Sequence, residues 1–171
     1  GLPESEVAFA ADRAAAAPAY RRQQSHRLTH MVARILGCEG PRSSHSVACA
    51  SSACALAEAA EWVRQGLAPA VLVVGADALT RVTLDGFHAL RLVDPAGSRP
   101  LTQERAGLTL GEGAAAIVLE DPEHARRRGA TVLASLLGWG LRADAYHATA
   151  PDPTGAHLGA CIEDCLTDAG V

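Results

Sequence analysis

Apolar and polar positions along this chain follow two different periods, and the changes between them mark its elements. From about Leu28 to Leu36 the apolar residues fall at helical spacing, and Gly37, Gly40 and Pro41 close the run. A short strand through Ser43 to Ala48 is predicted next. Cys49, Ala53, Leu56, Ala60 and Val63 then recur three or four residues apart, with Gly66 where a C-terminal cap belongs, so a helix is predicted with Cys49 at or just before its first turn. The unbroken apolar run AVLVVGAD, residues 70–77, has the pattern of a strand buried on both faces of a parallel or mixed sheet. Residues 78–110 read as loop-rich, with Pro95, Gly97 and Pro100, before GEGAAAIVLED at 111–121 supplies Gly-Glu-Gly and a second buried strand. A helix stopped by Gly129, a third strand in TVLASLLGWG from residue 131, a loop rich in Pro and Asp, and a helix from Thr154 complete the pattern, the last with Leu158, Ile162, Cys165 and Ala169 on one face. Strands alternating with helices predict an α/β protein of layered, βαβ-type architecture.

Composition narrows the choice of ligand. With 171 residues, 49% hydrophobic and 20% charged, the chain is sized for one globular domain with a core. A formal charge of -4 offers no electrostatic ground for nucleic acid or an anionic membrane as partner, and no apolar run approaches the roughly 20 residues of a membrane span. Small molecules or proteins are the expected ligands. All fifteen basic residues are arginine, so a mechanism needing an ammonium group must take it from another chain. Five cysteines (Cys38, Cys49, Cys54, Cys161 and Cys165), an odd number without tight spacing and with no signal peptide, predict free thiols and a cytoplasmic location. Arg21, Arg22, His26, Arg27 and His30 cluster near the start, as a solvated face or as a docking patch for an acidic partner. Arg126, Arg127 and Arg128 complement the dipole at the end of their helix and are expected in solvent.

Cys49 is the candidate for chemistry. The partial positive charge of a helix N-terminus favours thiolate over thiol, and first-turn N–H groups without intrahelical partners can bind an oxygen that turns negative when a carbonyl is attacked. The small neighbours Ala48, Ala50, Ser51 and Ser52 leave room for a substrate at the sulfur. Acyl transfer fits these features, and a cysteine serving only as a small buried side chain fits them too. Cys54 faces another side of the helix and reads as packing. Cys161 and Cys165 stand four apart, but no second ligand pair has zinc spacing, so no metal site is expected. GEGAAA precedes a strand, whereas a phosphate-binding loop opens a helix, and Cys49 lacks the flanking glycines of a hydrolase elbow.

Four segments in order, VACASSACAL at 47–56, AVLVVGAD at 70–77, SRPLTQERAGLTLGEGAAAIVLED at 98–121 and DAYHATAP at 144–151, resemble the β-ketoacyl-acyl carrier protein synthase family. The resemblance runs from about residue 31 to the end. It implies the thiolase-like layered αβαβα fold, incomplete here, without the first strand and helix and without most of the C-terminal half. It also implies a single partial ketosynthase domain over 1–171, with about 1–121 as the N-terminal half carrying the nucleophile and about 131–171 as the start of the C-terminal half. By the same resemblance Cys49 matches the nucleophile that receives an acyl chain from a carrier-protein thioester, and its backbone N–H is one oxyanion donor. His147 matches the first of two active-site histidines, holding the malonyl thioester carbonyl during decarboxylation; on its own spacing it reads as an ordinary loop histidine. Gly111, Glu112 and Gly113 match a structural turn, and Arg99, Glu104 and Arg105 match scaffold.

The implied function is β-ketoacyl-ACP synthesis, a decarboxylative condensation of an acyl-cysteine with malonyl-ACP in fatty acid or polyketide biosynthesis. A non-catalytic partner resembling a chain-length factor is the alternative, and a thiolase-fold acyltransferase working on coenzyme A thioesters is a third. No cofactor is implied, since acyl groups arrive as phosphopantetheine thioesters on a carrier protein. The implied partners are the acyl carrier protein, a second subunit pairing through the strand at 43–47 to give a homodimer or heterodimer, and a complementary polypeptide supplying the second histidine and a lysine. Departures from the family pattern are Ala106 for Asp, Ala115 for Gly, and the segment YRRQQSHRLTH at 20–30.

Overall fold

The structure, a computed structural model, describes residues 24–148 and 150–171. The basic positions Arg21 and Arg22 therefore lie outside the described residues, as does the start of the chain before them.

Helix α1, His26–Leu36, stops where Gly37 enters the left-handed region and Cys38 N–H returns to the Ala33 carbonyl at 2.8 Å. A single 3-10 turn, Ala48–Ala50, leads into helix α2, Ser51–Arg64. The end of α2 is a Schellman motif: Gly66 N–H bonds the Val63 carbonyl at 3.0 Å and Leu67 N–H bonds Trp62 at 2.9 Å. Its φ of 71° is why glycine stands at 66. The most buried positions of α2 are Ala57 and Ala59, beside rather than on the stripe drawn from spacing. An Ala-rich helix can approach its neighbours on more than one side, so its apolar spacing specifies a face poorly.

Strand β1, Ala70–Asp77, and strand β2, Gly113–Glu120, form a two-stranded sheet. Pro69, just before β1, accepts the N–H of Asp121, just after β2, so the strands run antiparallel. Only Val73 of β1 is buried, and β2 is exposed along most of its length. Both strands stand where the apolar runs place them, without the covering on two faces that such runs imply.

Between the strands the structure adds helix α3, Arg81–Ala89, inside the segment read as loop. Thr80 caps it, its hydroxyl accepting the Thr83 N–H at 3.2 Å. Gly86 in its middle weakens the helical signal in the sequence. Helix α4, Pro122–Arg127, has Asp121 as N-cap, accepting the His124 N–H at 2.9 Å, and proline at its first position. Its arginines do more than complement the dipole. Arg128 forms a bidentate pair with Glu120, with both contacts at 2.6 Å, and Arg126 pairs with Glu123.

Residues 43–47 and 131–140 carry no ladder among the described residues, although both are predicted strands. A strand needs a neighbouring backbone to complete its hydrogen bonds, and sequence pattern alone cannot provide one. The 131–140 segment instead lies against the last helix, α5, Ala156–Ala169. A Cβ at Gly138 would stand 2.6 Å from the Ala169 nitrogen, and one at Gly140 would collide with the Cys161 carbonyl. The side of α5 that packs is therefore Cys161, Cys165 and Ala169, while Leu158 and Ile162 of the predicted face stay exposed.

By internal contacts the chain divides into two compact units, Gly1–Ser46 with Val74–Ile117, and Val47–Val73 with Val118–Val171. The first holds a knot around Asp94, a buried carboxylate that accepts the Ala96 N–H at 2.9 Å and an Arg99 contact at 3.2 Å. Those bonds hold the Asp94 carboxyl below its ordinary pKa. The second holds α2, α4, α5 and both candidate catalytic residues. Within it Arg64 at the end of α2 makes a bidentate pair with Asp168 of α5, both contacts at 3.0 Å, and lies 4.0 Å from the centre of the Trp139 ring. Trp139 N–H also donates to Asp168, so one carboxylate ties α2, α5 and the 131–140 segment together.

Candidate active site

Cys49 sits in the 3-10 turn just before α2, exposed and unpaired. That is the helix-start position its spacing predicts. No acidic residue occupies the first turn of α2, so nothing there offsets the partial positive charge of the helix start. The turn is held by named bonds. Ala50 N–H bonds the Val47 carbonyl at 3.1 Å, and the Ser51 hydroxyl accepts the Val47 N–H at 2.8 Å while donating to the Ala48 carbonyl at 2.7 Å. Ala48 has a φ of 48°, left-handed backbone that an alanine enters at a cost of roughly 1–2 kcal/mol. Strain of this kind persists only where surrounding bonds hold it.

His147 is exposed, in the loop that leads to α5, and belongs to the same compact unit as Cys49. Its loop is built on the same plan as the cysteine turn. Ala145, two residues earlier, has a φ of 50°. The Asp144 carboxylate accepts the Tyr146 N–H at 3.2 Å with one oxygen and the Asp152 N–H at 3.0 Å with the other. These two N–H groups, Asp152 first, hold the Asp144 carboxyl below the usual carboxylate range. Asp152 is lowered likewise by the N–H and hydroxyl of Thr154.

Sequence reading missed two residues here. Ser51 counted only as a small neighbour of the cysteine, and Asp144 only as part of a motif. Asp144 has a local signal, since an aspartate two residues before an amide it accepts is an Asx turn, whereas the Ser51 hydroxyl bonds back to residues 47 and 48 and does not cap α2. Cys54, Cys161 and Cys165 are half-buried, and no group of three or more His, Cys, Asp or Glu side chains fit to hold a metal exists among the described residues. Glu112 accepts the Leu79 N–H at 3.1 Å, in keeping with a structural turn. No helix among the described residues is long and apolar enough to cross a membrane.

An exposed cysteine on a strained turn at a helix start is a candidate acyl-transfer nucleophile on its geometry alone, and the chain around it is similar to known proteins. The family profile described as "Beta-ketoacyl synthase, N-terminal domain" matches residues 8–125. The chain is 42% identical over 148 residues to the chloroplastic 3-oxoacyl-[acyl-carrier-protein] synthase II of Arabidopsis thaliana, covering 82% of this chain and 27% of that protein. It is also 42% identical over 141 residues to nodulation protein E of Rhizobium meliloti, covering 82% of this chain and 35% of that one. Among solved structures, the ishigamide ketosynthase/chain length factor superposes with a TM-score of 0.82 at 33% identity, over 86% of this chain and 36% of that chain. A type II polyketide ketosynthase in complex with its acyl-carrier protein gives a TM-score of 0.81 at 32% identity, over 84% and 37%. The chain thus spans about a third of the length of the proteins it matches. The profile match covers more than half of its residues, and the chain belongs to the β-ketoacyl synthase family, as a partial ketosynthase of the thiolase-like superfamily.

Proposed function

We propose that this chain is the nucleophile-bearing portion of a 3-oxoacyl-ACP synthase, an acyltransferase that extends an acyl chain by decarboxylative condensation. The Cys49 thiolate attacks the carbonyl of an acyl thioester on a carrier protein, and the carbonyl oxygen becomes negative. That charge is received by the Cys49 N–H at the helix start. Collapse of the adduct breaks the bond to the carrier sulfur, which leaves and takes up a proton. A malonyl thioester then loses its carboxylate as carbon dioxide, and the electron pair freed in that cleavage attacks the acyl-cysteine carbonyl. The Cys49 thiolate leaves, and a β-ketoacyl thioester remains on the carrier. His147 holds the malonyl carbonyl during decarboxylation, and Asp144 holds the loop that presents it.

The observation that carries this reading is the exposed Cys49 on its strained turn, within residues matched by the family profile. The acyl carrier protein is the substrate carrier, and a second subunit pairs through residues 43–47. Solved relatives described with a carrier protein and with a chain length factor support both partners. A complementary sequence supplies a second histidine and a lysine, the latter a residue type this chain lacks. The 1–121 and 131–171 portions belong to two halves of one synthase domain.

The test is the intact mass of the chain, isolated with whatever co-purifies, after exposure to an acyl-pantetheine thioester. One acyl group is expected in the parent and none in Cys49→Ala. A folded sample that takes up no acyl group would transfer the reading to a non-catalytic partner subunit.

A further inference from the structure

The Ser51 hydroxyl makes two bonds, and one of them reaches the peptide group on which the chemistry of Cys49 depends. The Ala48 carbonyl and the Cys49 N–H are the two ends of one planar, trans peptide unit, so they point in opposite directions. Fixing the carbonyl end fixes the direction of the N–H. Two donors from Ser51 converge on that carbonyl, its backbone N–H and its hydroxyl, the latter at 2.7 Å. The same hydroxyl accepts the Val47 N–H at 2.8 Å, so it grips the chain on the N-terminal side of the strained residue as well. Ala48, at a φ of 48°, lies between the two gripped groups. An alanine released from such a grip relaxes to negative φ, and a rotation at Ala48 swings the 48–49 peptide plane with it.

We infer that Ser51 is a positioning residue for acyl transfer, its hydroxyl aiming the Cys49 N–H at the developing oxyanion by holding the Ala48 carbonyl. The inference rests on the acyl-transfer reading above. Ser51 touches neither substrate nor sulfur in this role, and acts through the peptide plane alone. The bonds lie at the surface, where water can replace them, so losing the hydroxyl alters the aim of the N–H more than the stability of the fold.

Two reagents separate aim from mere integrity of the turn. A thioester develops an oxyanion when the sulfur attacks it, whereas iodoacetamide alkylates the sulfur by displacement and develops none. Both reactions are followed at the peptide containing Cys49, by mass, in the protein as isolated with any co-purifying chain. Ser51→Ala is expected to slow acylation about tenfold, short of the 10²–10³ lost with an oxyanion donor itself, while alkylation stays within about twofold and Ser51→Thr restores acylation. Equal acylation in parent and Ser51→Ala overturns the inference. So does a parallel loss of both reactions with a lowered thermal midpoint, which marks a structural role, and so does failure of Ser51→Thr to restore the rate. A parent that alkylates at Cys49 but never acylates overturns the acyl-transfer reading itself, and this inference with it.

Discussion

Cys49 comes one residue, and His147 two residues, after an alanine forced into left-handed backbone, and each loop is pinned by one polar side chain that bonds main-chain groups. The two candidate positions have different partners, a hydroxyl at one and a carboxylate at the other, and only the carboxylate titrates. With the Asp144 pKa depressed in the folded chain, its ordering of the His147 loop is complete above the ordinary carboxylate range and lost as pH falls through the lowered value. On the proposed function, in a synthase completed by the complementary sequence, Asp144→Ala is expected to lower malonyl decarboxylation by about tenfold or more while leaving acylation of Cys49 unchanged. Measuring carbon dioxide release and acyl uptake on the same sample checks this. Equal losses in both would place Asp144 in the fold at large rather than in the histidine loop.

At the scale of elements, close backbone packing and ion pairs hold the second unit together, with few large side chains in between. Gly138 and Gly140 let the 131–140 segment lie directly on α5, and Arg64 reaches Asp168 from the far end of α2. Gly140→Ala would drive a methyl into the Cys161 carbonyl and is expected to destabilise by about 1–3 kcal/mol, read as a lower thermal midpoint. Gly159→Ala, inside α5 with open space around it, should stabilise by up to about 1 kcal/mol through helix propensity, read as a higher thermal midpoint. Opposite signs for the two substitutions would confirm that the segment and helix pack backbone to backbone. On the neighbouring element, Glu120 is drawn down to about 2 by Arg128 first and His124 second. Its pairing is therefore present above the ordinary glutamate range and lost as pH falls toward 2.

At the scale of the whole molecule, the apolar residues outnumber the places to bury them. The buried hydrophobic positions among the described residues are Ala33, Ala57, Ala59, Val73 and Ala125, and no large side chain is fully buried. Leu133 is 95% exposed and Leu101 wholly so, and Leu137, Leu158, Ile162 and Val132 are more than half exposed. Surface of this extent is uncommon on a monomer that stands alone. By itself the chain is expected to bind an apolar dye such as ANS and to self-associate, and a polypeptide carrying the rest of the fold should suppress both, as read by fluorescence and light scattering. A monodisperse monomer without dye binding would show that the chain covers these faces itself.

The positions of most helices and of both paired strands were legible in sequence, because apolar periodicity, glycine stops and the unbroken runs at 70–77 and 113–120 are local signals. So was Cys49 at a helix start, since spacing and the run of small residues report it directly. Helix α3 was hidden by Gly86, and the segments 43–47 and 131–140 form no ladder among the described residues, because an apolar run states a preference while a ladder requires a neighbouring strand. The family was legible from motifs in order. What tertiary structure decided was everything that joins residues distant in sequence: the pair between Arg64 and Asp168, and the approach of Gly140 to Cys161. It also decided the backbone strain at Ala48 and Ala145. Periodicity reports which face of an element is apolar. It carries no record of what lies opposite, and a strained φ depends on bonds that exist only once the chain has folded.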